Sequence, residues 1–374
     1  MGRNFYWHWF HGLRGIGQTE KQFLLEVCPD VREWYETGNV KKAKELLLQG
    51  IPAGAGEKRM QEIAAALEDD GQREQAKVSY ERMKTKGISI VSKEENHYPE
   101  RLKHVYLSPF LLYYKGMLPK EDLPSIGIIG ARNCSVYGEE IARIFGEQLS
   151  AAGMQVISGM ARGIDAAAQR SAVKEKGRSF AVLGSGVDVC YPAEYKGLYE
   201  ELSLYGGVIS EEVPGTRPLS YNFPKRNRII AGLSDALFVV EAKEKSGSLI
   251  TVSYALEQGK EIYAVPGRIY DHLADGTNRL IQEGAYLVRE PEDILHNFME
   301  GNFEILTKFQ KNQKLLLETE EKIVYACLSL HPKHMEQIAA ETGMTIPDLT
   351  AVLFELEMKH YIRQPMKNYY MIQS

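Results

Sequence analysis

The regular alternation of short apolar strands with amphipathic helices between Ser125 and about Asn297 constrains the fold more than any other feature of this chain. Such an alternation is typical of βαβ units and predicts an α/β fold with a parallel sheet. The predicted strands are Ile126–Gly130, Gln155–Ser158, Ser179–Leu183, Val208–Ser210, Ala236–Glu241, Glu261–Val265 and Tyr286–Val288. The predicted helices are Gly138–Ala152, Ile164–Glu175, Ala193–Leu204, Arg226–Gly232, Ser248–Gln258 and Asn278–Glu283. Because crossovers are right-handed and parallel strands share one direction, the loops after the strands open on one edge of the sheet, where ligands bind in such folds.

The loop before the fifth strand carries a basic cluster. In Phe223-Pro224-Lys225-Arg226-Asn227-Arg228, three cations lie within four residues at the predicted entrance of a helix. Free N–H groups at a helix start and planar guanidinium groups both suit phosphate oxygens, and the Phe223 ring offers a face for a stacked base. An ordinary solvated basic turn is the alternative for an isolated cluster.

Small-residue turns follow the other strands on the same edge. Their glycines allow close backbone approach to a ligand, and their serine hydroxyls can donate to phosphate oxygens. Because several turns converge, the sequence favours a polyanion pocket over a solvated turn. The turns are Gly130-Ala131-Arg132-Asn133, Ser158-Gly159-Met160-Ala161-Arg162-Gly163, Gly184-Ser185-Gly186, Lys243-Glu244-Lys245-Ser246-Gly247-Ser248 and Pro266-Gly267-Arg268.

Acidic residues near these turns have structural interpretations. We expect Glu211, Glu212 and Glu241 to pair with Arg226 or Arg228 rather than to act as general bases. Asp165 lies just inside a helix start, where it can act as a cap. No Ser-His-Asp or Cys-His constellation is evident in the sequence, so no catalytic residue, metal or cofactor is predicted.

Composition limits the class of protein. A chain of 374 residues predicts two or three domains, and a net charge of −5 requires any nucleic-acid site to be a local patch. The four cysteines are far apart and show no C-x-x-C spacing, which indicates reduced thiols rather than a zinc site or disulfides. With no long apolar run and no apolar signal core, we expect a cytoplasmic protein without membrane contact.

The flanking regions predict two further domains. Helical periodicity indicates a helical domain over residues 1–87, a sheet domain over 88–300 and a polar linker over 301–316. In the first domain, the turn from Gly12 to Gly17 resembles the hairpin of helix-hairpin-helix modules, and it is either a DNA contact or a plain helix connector.

Residues 317–374 show the pattern of a winged helix. The predicted helices Ile323–Leu330, Met335–Thr342 and Ile346–Met358 precede two strand-like runs at Tyr361–Arg363 and Tyr369–Ile372. Residues 311–374 hold seven Lys or Arg against eight Asp or Glu. This balance favours a protein contact over duplex reading.

Together these motifs resemble the DprA (Smf) DNA-processing family, over nearly the whole chain. The motifs are Gly130-Ala131-Arg132, Ser158-Gly159-Met160-Ala161-Arg162-Gly163-Ile164-Asp165, Val182-Leu183-Gly184-Ser185-Gly186 with Tyr191-Pro192, Phe223-Pro224-Lys225-Arg226-Asn227-Arg228, Ser246-Gly247-Ser248-Leu249-Ile250-Thr251 and Ala264-Val265-Pro266-Gly267. The resemblance implies an N-terminal SAM-like helical domain, an extended Rossmann domain and a C-terminal winged helix. In place of a histidine and an asparagine usual in the family, this chain has Gln169 and Tyr195.

The resemblance further implies a homodimeric protein without catalytic activity. It would bind single-stranded DNA taken up in natural transformation and load a RecA-type recombinase onto it. The implied DNA-binding residues are Arg132, Ser158, Gly159, Arg162, Gly163, Ser185, Gly186, Phe223, Lys225, Arg226, Asn227, Arg228, Ser246, Gly247 and Ser248. We expect replacement of Arg226 and Arg228 by alanine, or Lys225 by glutamate, to weaken this binding and leave the fold intact.

Two enzyme classes on related folds are the alternatives. Nucleoside monophosphate phosphoribohydrolases carry a Pro-Gly-Gly-x-Gly-Thr turn, and this chain has Ser246-Gly247-Ser248 in the comparable place. A dinucleotide-dependent oxidoreductase would need a third glycine after Gly184 and Gly186, where the chain has Val189.

Overall fold

The computed structural model describes residues 2–37, 57–174, 178–299, 319–329, 332–358 and 361–372. Residues 1–301 form one compact unit and residues 302–374 a second. The predicted linker over 301–316 lies outside the described residues.

The chain begins with helices packed around a cluster of aromatic rings. They are α1 (Arg3–Gly12), α2 (Gln18–Val27), α3 (Val31–Thr37), α4 (Glu57–Glu68) and α5 (Asp70–Thr85). Helix α1 is apolar around most of its circumference, as expected for a buried helix. Its rings Phe5, Trp7, Trp9 and Phe10 are all buried.

A nine-stranded sheet follows, with strand order β1-β2-β6-β5-β4-β3-β7-β8-β9. The strands are β1 (Ser89–Ser92), β2 (Leu111–Gly116), β3 (Ser125–Ile129), β4 (Gln155–Ser158), β5 (Ser179–Leu183), β6 (Gly207–Ser210), β7 (Ala236–Val239), β8 (Glu261–Ala264) and β9 (Tyr286–Leu287). Strands β3 to β9 pair in parallel, and β1 and β2 join antiparallel through β6. The predicted α/β class with a largely parallel sheet is thus confirmed.

Helices cover both faces of the sheet. They are α6 (Glu100–Lys103), α7 (Val136–Ala151), α8 (Ile164–Lys174), α9 (Lys196–Tyr205), α10 (Asn222–Leu233), α11 (Gly247–Glu257), α12 (Asp275–Gln282) and α13 (Pro291–Met299). Coverage on both faces explains why β5 and β6 are buried at every position and read as continuous apolar runs. Helices α7 and α8 pack so closely that only glycine fits at position 146. A Cβ there would come within 2.3 Å of the Ala168 carbonyl oxygen.

The sheet reverses its strand order at β3. The chain proceeds from β3 through β4 and β5 to β6 on one side, and then crosses to β7 on the other side of β3. Such a reversal leaves a crevice at the carboxyl ends of the two central strands. The fold therefore provides one defined place for a ligand.

Several elements of this domain differ from the sequence prediction, among them helices α6 and α13, which were not predicted. Strand β2 was not predicted, because its pairing with β1 and β6 depends on contacts distant in sequence. Helix α10 begins at Asn222 rather than Arg226. Proline is tolerated in the first turn of a helix, so Pro224 does not delay the start.

The N-terminal helices are joined to the sheet by a buried histidine. The Tyr113 hydroxyl on β2 lies 2.9 Å from His8 Nδ1, and Ser79 Oγ on α5 lies 2.6 Å from Nε2. Since the Ser79 hydroxyl donates to the Ala76 carbonyl, His8 Nε2–H is the donor to Ser79 and Nδ1 accepts from Tyr113. Burial lowers the pKa of His8 to about 4, so the ring is neutral at pH 7.

The second unit has a winged-helix arrangement. Helices α14 (Thr319–Ala326), α15 (Met335–Thr342) and α16 (Ile346–Met358) precede a hairpin of β11 (Ile362–Met366) and β12 (Tyr369–Ile372). A short strand β10 (Lys333–His334), which was not predicted, pairs with β12. The first helix begins four residues before the predicted Ile323.

Candidate nucleic-acid interface

A cleft of about 650 Å³ opens at the carboxyl edge of the sheet, where the strand order reverses. One wall is the loop after β3, residues 130–133, and another is the loop from Lys243 to Ser248 after β7. The first two turns of α10 close the cleft with Phe223, Arg226 and Asn227. Loops that are far apart in sequence therefore meet at one site, as the parallel strands predict.

An aromatic pair and a cation lie together at this cleft. The rings of Tyr191 and Phe223 have centroids 5.7 Å apart, and the Arg132 guanidinium lies 5.3 Å from the Phe223 centroid. Gly184 leaves room for the ring, since a Cβ there would lie 3.0 Å from Phe223 Cδ1. One face of Phe223 is thus covered by Arg132, so a base can reach that face only if Arg132 moves.

Arg226 lies buried at the floor of the cleft. Its Nη1 donates to the carbonyl oxygen of Val182, and its Nε has no acceptor among the described residues. Burial lowers the pKa of Arg226 to about 10, against the opposing effect of Asp165. Burial also raises the pKa of the Asp165 carboxyl, which accepts from the Gly159 amide at 3.1 Å. Asp165 thus holds the loop after β4 and a buried guanidinium instead of only capping α8.

Arg228 points away from the cleft into a buried ion pair. Its Nη2 donates to both carboxylate oxygens of Glu211 at 2.7 Å, and the two side chains are 3% and 4% exposed. Glu211 also accepts from Gln18 Nε2 at 3.1 Å. Burial acts to raise the pKa of Glu211, but Arg228 and then Lys225 keep it below its ordinary value. The expected pairing of Glu211 with Arg228 is present, and it ties α10 to β6 and to the N-terminal helices.

This burial corrects the expectation for the Arg226 and Arg228 double alanine variant. Removing Arg228 would leave the Glu211 carboxylate buried without its main partner, which costs several kcal/mol in typical proteins, roughly 3–5. The variant would therefore lose stability as well as cations. Lys225 lies at the surface, where it pairs with Glu211 at 3.4 Å and Glu212 at 3.5 Å.

The start of α11 supplies polar groups to the cleft. Ser246 is the N-cap and accepts from the Ser248 amide at 3.3 Å, and the two hydroxyls are 2.7 Å apart. Gly247 lies between them on the cleft wall. A helix start with serine hydroxyls suits a phosphate oxygen.

Other predicted residues shape the loops from behind. Ser158 and Ser185 are buried and donate to the carbonyl oxygens of Ile128 at 2.6 Å and Val189 at 3.0 Å. The expectation that these two hydroxyls face a ligand is thereby corrected, because both already have internal acceptors. The glycines among them have structural roles. A Cβ on Gly159 would meet Arg226 Nη1 at 2.2 Å, Gly163 has a positive φ of 74°, and the Gly186 amide donates to the Thr216 carbonyl at 2.9 Å.

Four further residues named from the sequence lie elsewhere. Arg162 is exposed and pairs with Glu194 at 2.7 Å outside the cleft wall. Gln169 is buried and accepts from the Met160 amide at 2.9 Å, which supports the positive φ of 51° at Met160. Tyr195 packs beneath the Arg170 guanidinium at 5.6 Å. Glu241, expected to pair with an arginine, instead accepts from the Ser135 amide at 2.9 Å.

In the turn from Gly12 to Gly17, two backbone amides form hydrogen bonds with side chains of the same domain. The Arg14 amide donates to Gln72 Oε1 at 2.8 Å, and the Gly17 amide donates to Glu20 Oε2 at 2.7 Å. Two of its amides are therefore already bonded internally, which favours the helix-connector interpretation.

Comparison with known proteins identifies the family. A family model described as DNA recombination-mediator protein A matches residues 89–299, and one described as DprA winged helix domain matches residues 312–365. The chain belongs to the DprA family. Among DprA relatives, the DNA processing protein DprA of Streptococcus pneumoniae is 40% identical over 286 residues, covering 76% of this chain and 96% of the relative. Protein Smf of Escherichia coli is 36% identical over 281 residues, covering 73% of this chain and 74% of the relative.

Solved DprA structures share the fold. DprA from Streptococcus pneumoniae matches with a TM-score of 0.55 and 33% identity, covering 75% of this chain and 98% of that one. DNA processing protein A from Helicobacter pylori, whose structure concerns its single-stranded DNA binding mode, matches with a TM-score of 0.52 and 26% identity. That match covers 57% of this chain and 96% of the Helicobacter chain. DprA membership and the winged-helix class agree with the sequence prediction.

Several cleft residues were not among the predicted site residues, and three of them have side chains suited to DNA. Lys243 and Lys245 are exposed on the wall after β7, and the Tyr191 ring lies beside Phe223 at a tilt of 38°. The signal for the lysines was available, because they follow a predicted strand on the ligand edge. Across the described ranges, no helix is both long and apolar enough to span a membrane. Within those ranges, no three or more His, Cys, Asp or Glu side chains are grouped to hold a metal ion.

Proposed function

We propose that this protein binds single-stranded DNA in the cleft, in the cytoplasm and without catalysing a reaction. The observation that carries the proposal is the arrangement of exposed Arg132, Lys243 and Lys245 around a buried Arg226 and an aromatic pair. Phosphate capture by cations and base stacking on rings are the two parts of sequence-independent single-strand binding. The single-stranded DNA binding of the Helicobacter pylori relative supports the same ligand.

The geometry assigns each group a task. The lysines and Arg132 meet phosphates at the mouth, and the start of α11 offers N–H and hydroxyl donors to one phosphate. Tyr191 provides an open ring face for a base, since it is partly exposed beside Phe223. Ser158, Gly159, Gly163, Ser185, Gly186 and Arg228 then support binding by fixing the loops.

We also propose the roles that membership of the family suggests. The bound strand is DNA taken up in natural transformation, and the protein acts as a homodimer that delivers this strand to a RecA-type recombinase. A mediator has to release its strand, which suits a surface cleft whose contacts are mainly electrostatic. Mixing the protein with DNA coated by a single-strand binding protein should shorten the lag of recombinase ATPase activity. An unchanged lag would contradict the loading role.

The DNA proposal is tested by fluorescence anisotropy of a labelled oligothymidine across a salt series, with duplex as competitor. Log K should fall with log salt at about −0.7 per phosphate engaged. In the triple variant Arg132→Ala, Lys243→Ala, Lys245→Ala, we expect weaker binding and a slope shallower by about 2.

The matched control removes one arginine and two lysines from the N-terminal helices, as Arg32→Ala, Lys77→Ala, Lys84→Ala. Both variants have the same net charge, so only the location of the lost cations differs. Equal losses of affinity in the two variants would contradict binding in the cleft. An absence of wild-type binding at low salt would contradict the function itself.

A further inference from the structure

Three loops around the cleft, the first of which runs into the first turn of α7, repeat one combination of side chains. In each, an exposed arginine is followed two to five residues later by an exposed tyrosine, as Arg132 with Tyr137, Arg217 with Tyr221 and Arg268 with Tyr270. The tyrosines are 57%, 68% and 90% exposed. None of these three arginines forms an ion pair with another described residue. We call residues 132–137, 217–221 and 268–270 the rim loops.

Each rim loop is joined to the cleft. The first contributes Asn133 and the second Pro218 to the cleft wall, and the third precedes Leu273, which also lines it. The Ser135 amide donates to Glu241 at 2.9 Å, and the Ala242 amide donates to the Leu273 carbonyl at 2.8 Å. These bonds fix the first rim loop, and the segment just after the third, against the loop that carries the cleft lysines.

The cleft is too small for a long strand. Its volume of about 650 Å³ lies within the roughly 300–1,000 Å³ typical of pockets for one drug-sized ligand. A strand of many nucleotides must therefore leave the cleft and pass over the residues around it. The exposed side chains there include guanidinium groups that form no ion pair with another described residue, each within five residues of an exposed tyrosine. Cations and aromatic rings together bind phosphates and stack bases without sequence preference.

We propose that the rim loops form an outer track for single-stranded DNA, in which Tyr137, Tyr221 and Tyr270 each stack a base of the strand leaving the cleft. This inference rests on the proposed function, because it extends the same ligand beyond the cleft. Arg132, Arg217 and Arg268 hold phosphates beside the stacked bases. Protein docking would also use exposed rings, but the unpaired arginine in every rim loop favours a phosphate-bearing ligand.

The test compares a short and a long labelled oligothymidine, of about 4 and about 20 nucleotides, which bracket the roughly 4–16 nucleotides of known single-strand sites. The protein is the full chain, either wild type or carrying Tyr137→Ala, Tyr221→Ala and Tyr270→Ala together. The variant should bind the long oligomer at least about five-fold more weakly, since one stacked base contributes about 1 kcal/mol or more. Its affinity for the short oligomer should stay within two-fold of wild type.

Two controls separate stacking from other effects. Replacement of the same three tyrosines by phenylalanine should preserve long-oligomer affinity, because stacking needs the ring and not the hydroxyl. Tyr106→Ala removes a tyrosine that is 75% exposed but follows α6, away from the carboxyl edge, and should change neither affinity.

The outcomes distinguish the two proposals. Absence of wild-type binding to both oligomers overturns the proposed function and the track with it. Wild-type binding to both oligomers with an unaffected triple alanine variant overturns the track alone. An equal loss for both oligomers also overturns the track, because the tyrosines would then act in the cleft.

Discussion

Two sets of cations reach the same edge of the sheet and differ in what surrounds them. Arg226 and Arg228 on α10 are buried, the first against the Val182 carbonyl and the second against Glu211. Arg132 and Lys243 lie on loops and are exposed. A buried charge needs an internal partner, whereas an exposed one is free to meet a ligand. We therefore propose that the first set maintains the site and that the second binds DNA.

The largest effect is expected from Arg228→Ala. It should lower the free energy of unfolding by about 3–5 kcal/mol, because Glu211 would remain buried without the guanidinium nitrogen that donates to both of its oxygens. Urea denaturation followed by circular dichroism measures the loss. Arg132→Ala, the exposed counterpart, should change stability by no more than about 0.5 kcal/mol. Similar losses of unfolding free energy in the two variants would contradict the distinction between buried and exposed cations.

The next effect concerns the space reserved for Arg226. Gly159→Ala places a Cβ about where the guanidinium lies, 2.2 Å from Nη1, and should cost about 1–3 kcal/mol of stability. Gly197→Ala is the matched control, since nothing lies within 4 Å of its Cβ position in α9. In thermal melts, Gly159→Ala should therefore have a lower melting temperature than Gly197→Ala. A Gly159→Ala protein as stable as wild type would mean that Arg226 is not held tightly.

The buried histidine that joins α1 to β2 should make the free energy of unfolding depend on pH, whereas the exposed cations should not. The folded-state pKa of His8 is about 4, below the ordinary value of 6.5, so the unfolded chain binds a proton that the folded protein does not. Stability should therefore be full above about pH 6.5 and fall toward pH 4, by up to about 1.4 kcal/mol per pH unit. Burial also lowers the pKa of His11 to about 4, so His8→Gln should remove about half of the total dependence in urea titrations at pH 7 and pH 5. The exposed His97→Gln should leave it unchanged. A wild-type slope retained in His8→Gln would assign the dependence to other groups.

The smallest effect is expected from Arg162→Ala. Its ion pair with Glu194 is exposed on both sides, so the loss of stability should stay below about 1 kcal/mol. Because Arg162 lies outside the cleft wall, single-strand affinity should fall less than in Arg132→Ala. A larger fall in anisotropy titrations would place Arg162 among the binding cations after all.

Much of the fold could be predicted from local pattern. Strands such as Gln155–Ser158 and Ser179–Leu183 were predicted with the observed bounds, since strands buried on both faces are continuous apolar runs. Strand β2 and the short β10 were missed, because their existence depends on partners far away in sequence. The start of α10 was misplaced by four residues, since a proline in the first turn resembles a helix boundary.

The sequence indicated at which edge of the sheet the candidate site lies, but not which of its cations are buried and which face the cleft. The sequence alone determined that glycine turns and cations follow parallel strands and so meet at one edge. Only the tertiary structure decided that Arg228 faces Glu211, which also accepts from Gln18, and that Lys243 and Lys245 face the cleft. The reason is that desolvation depends on segments distant along the chain. A guanidinium has the same chemistry everywhere, and the surrounding protein determines whether it is buried with a partner or left in water for a phosphate.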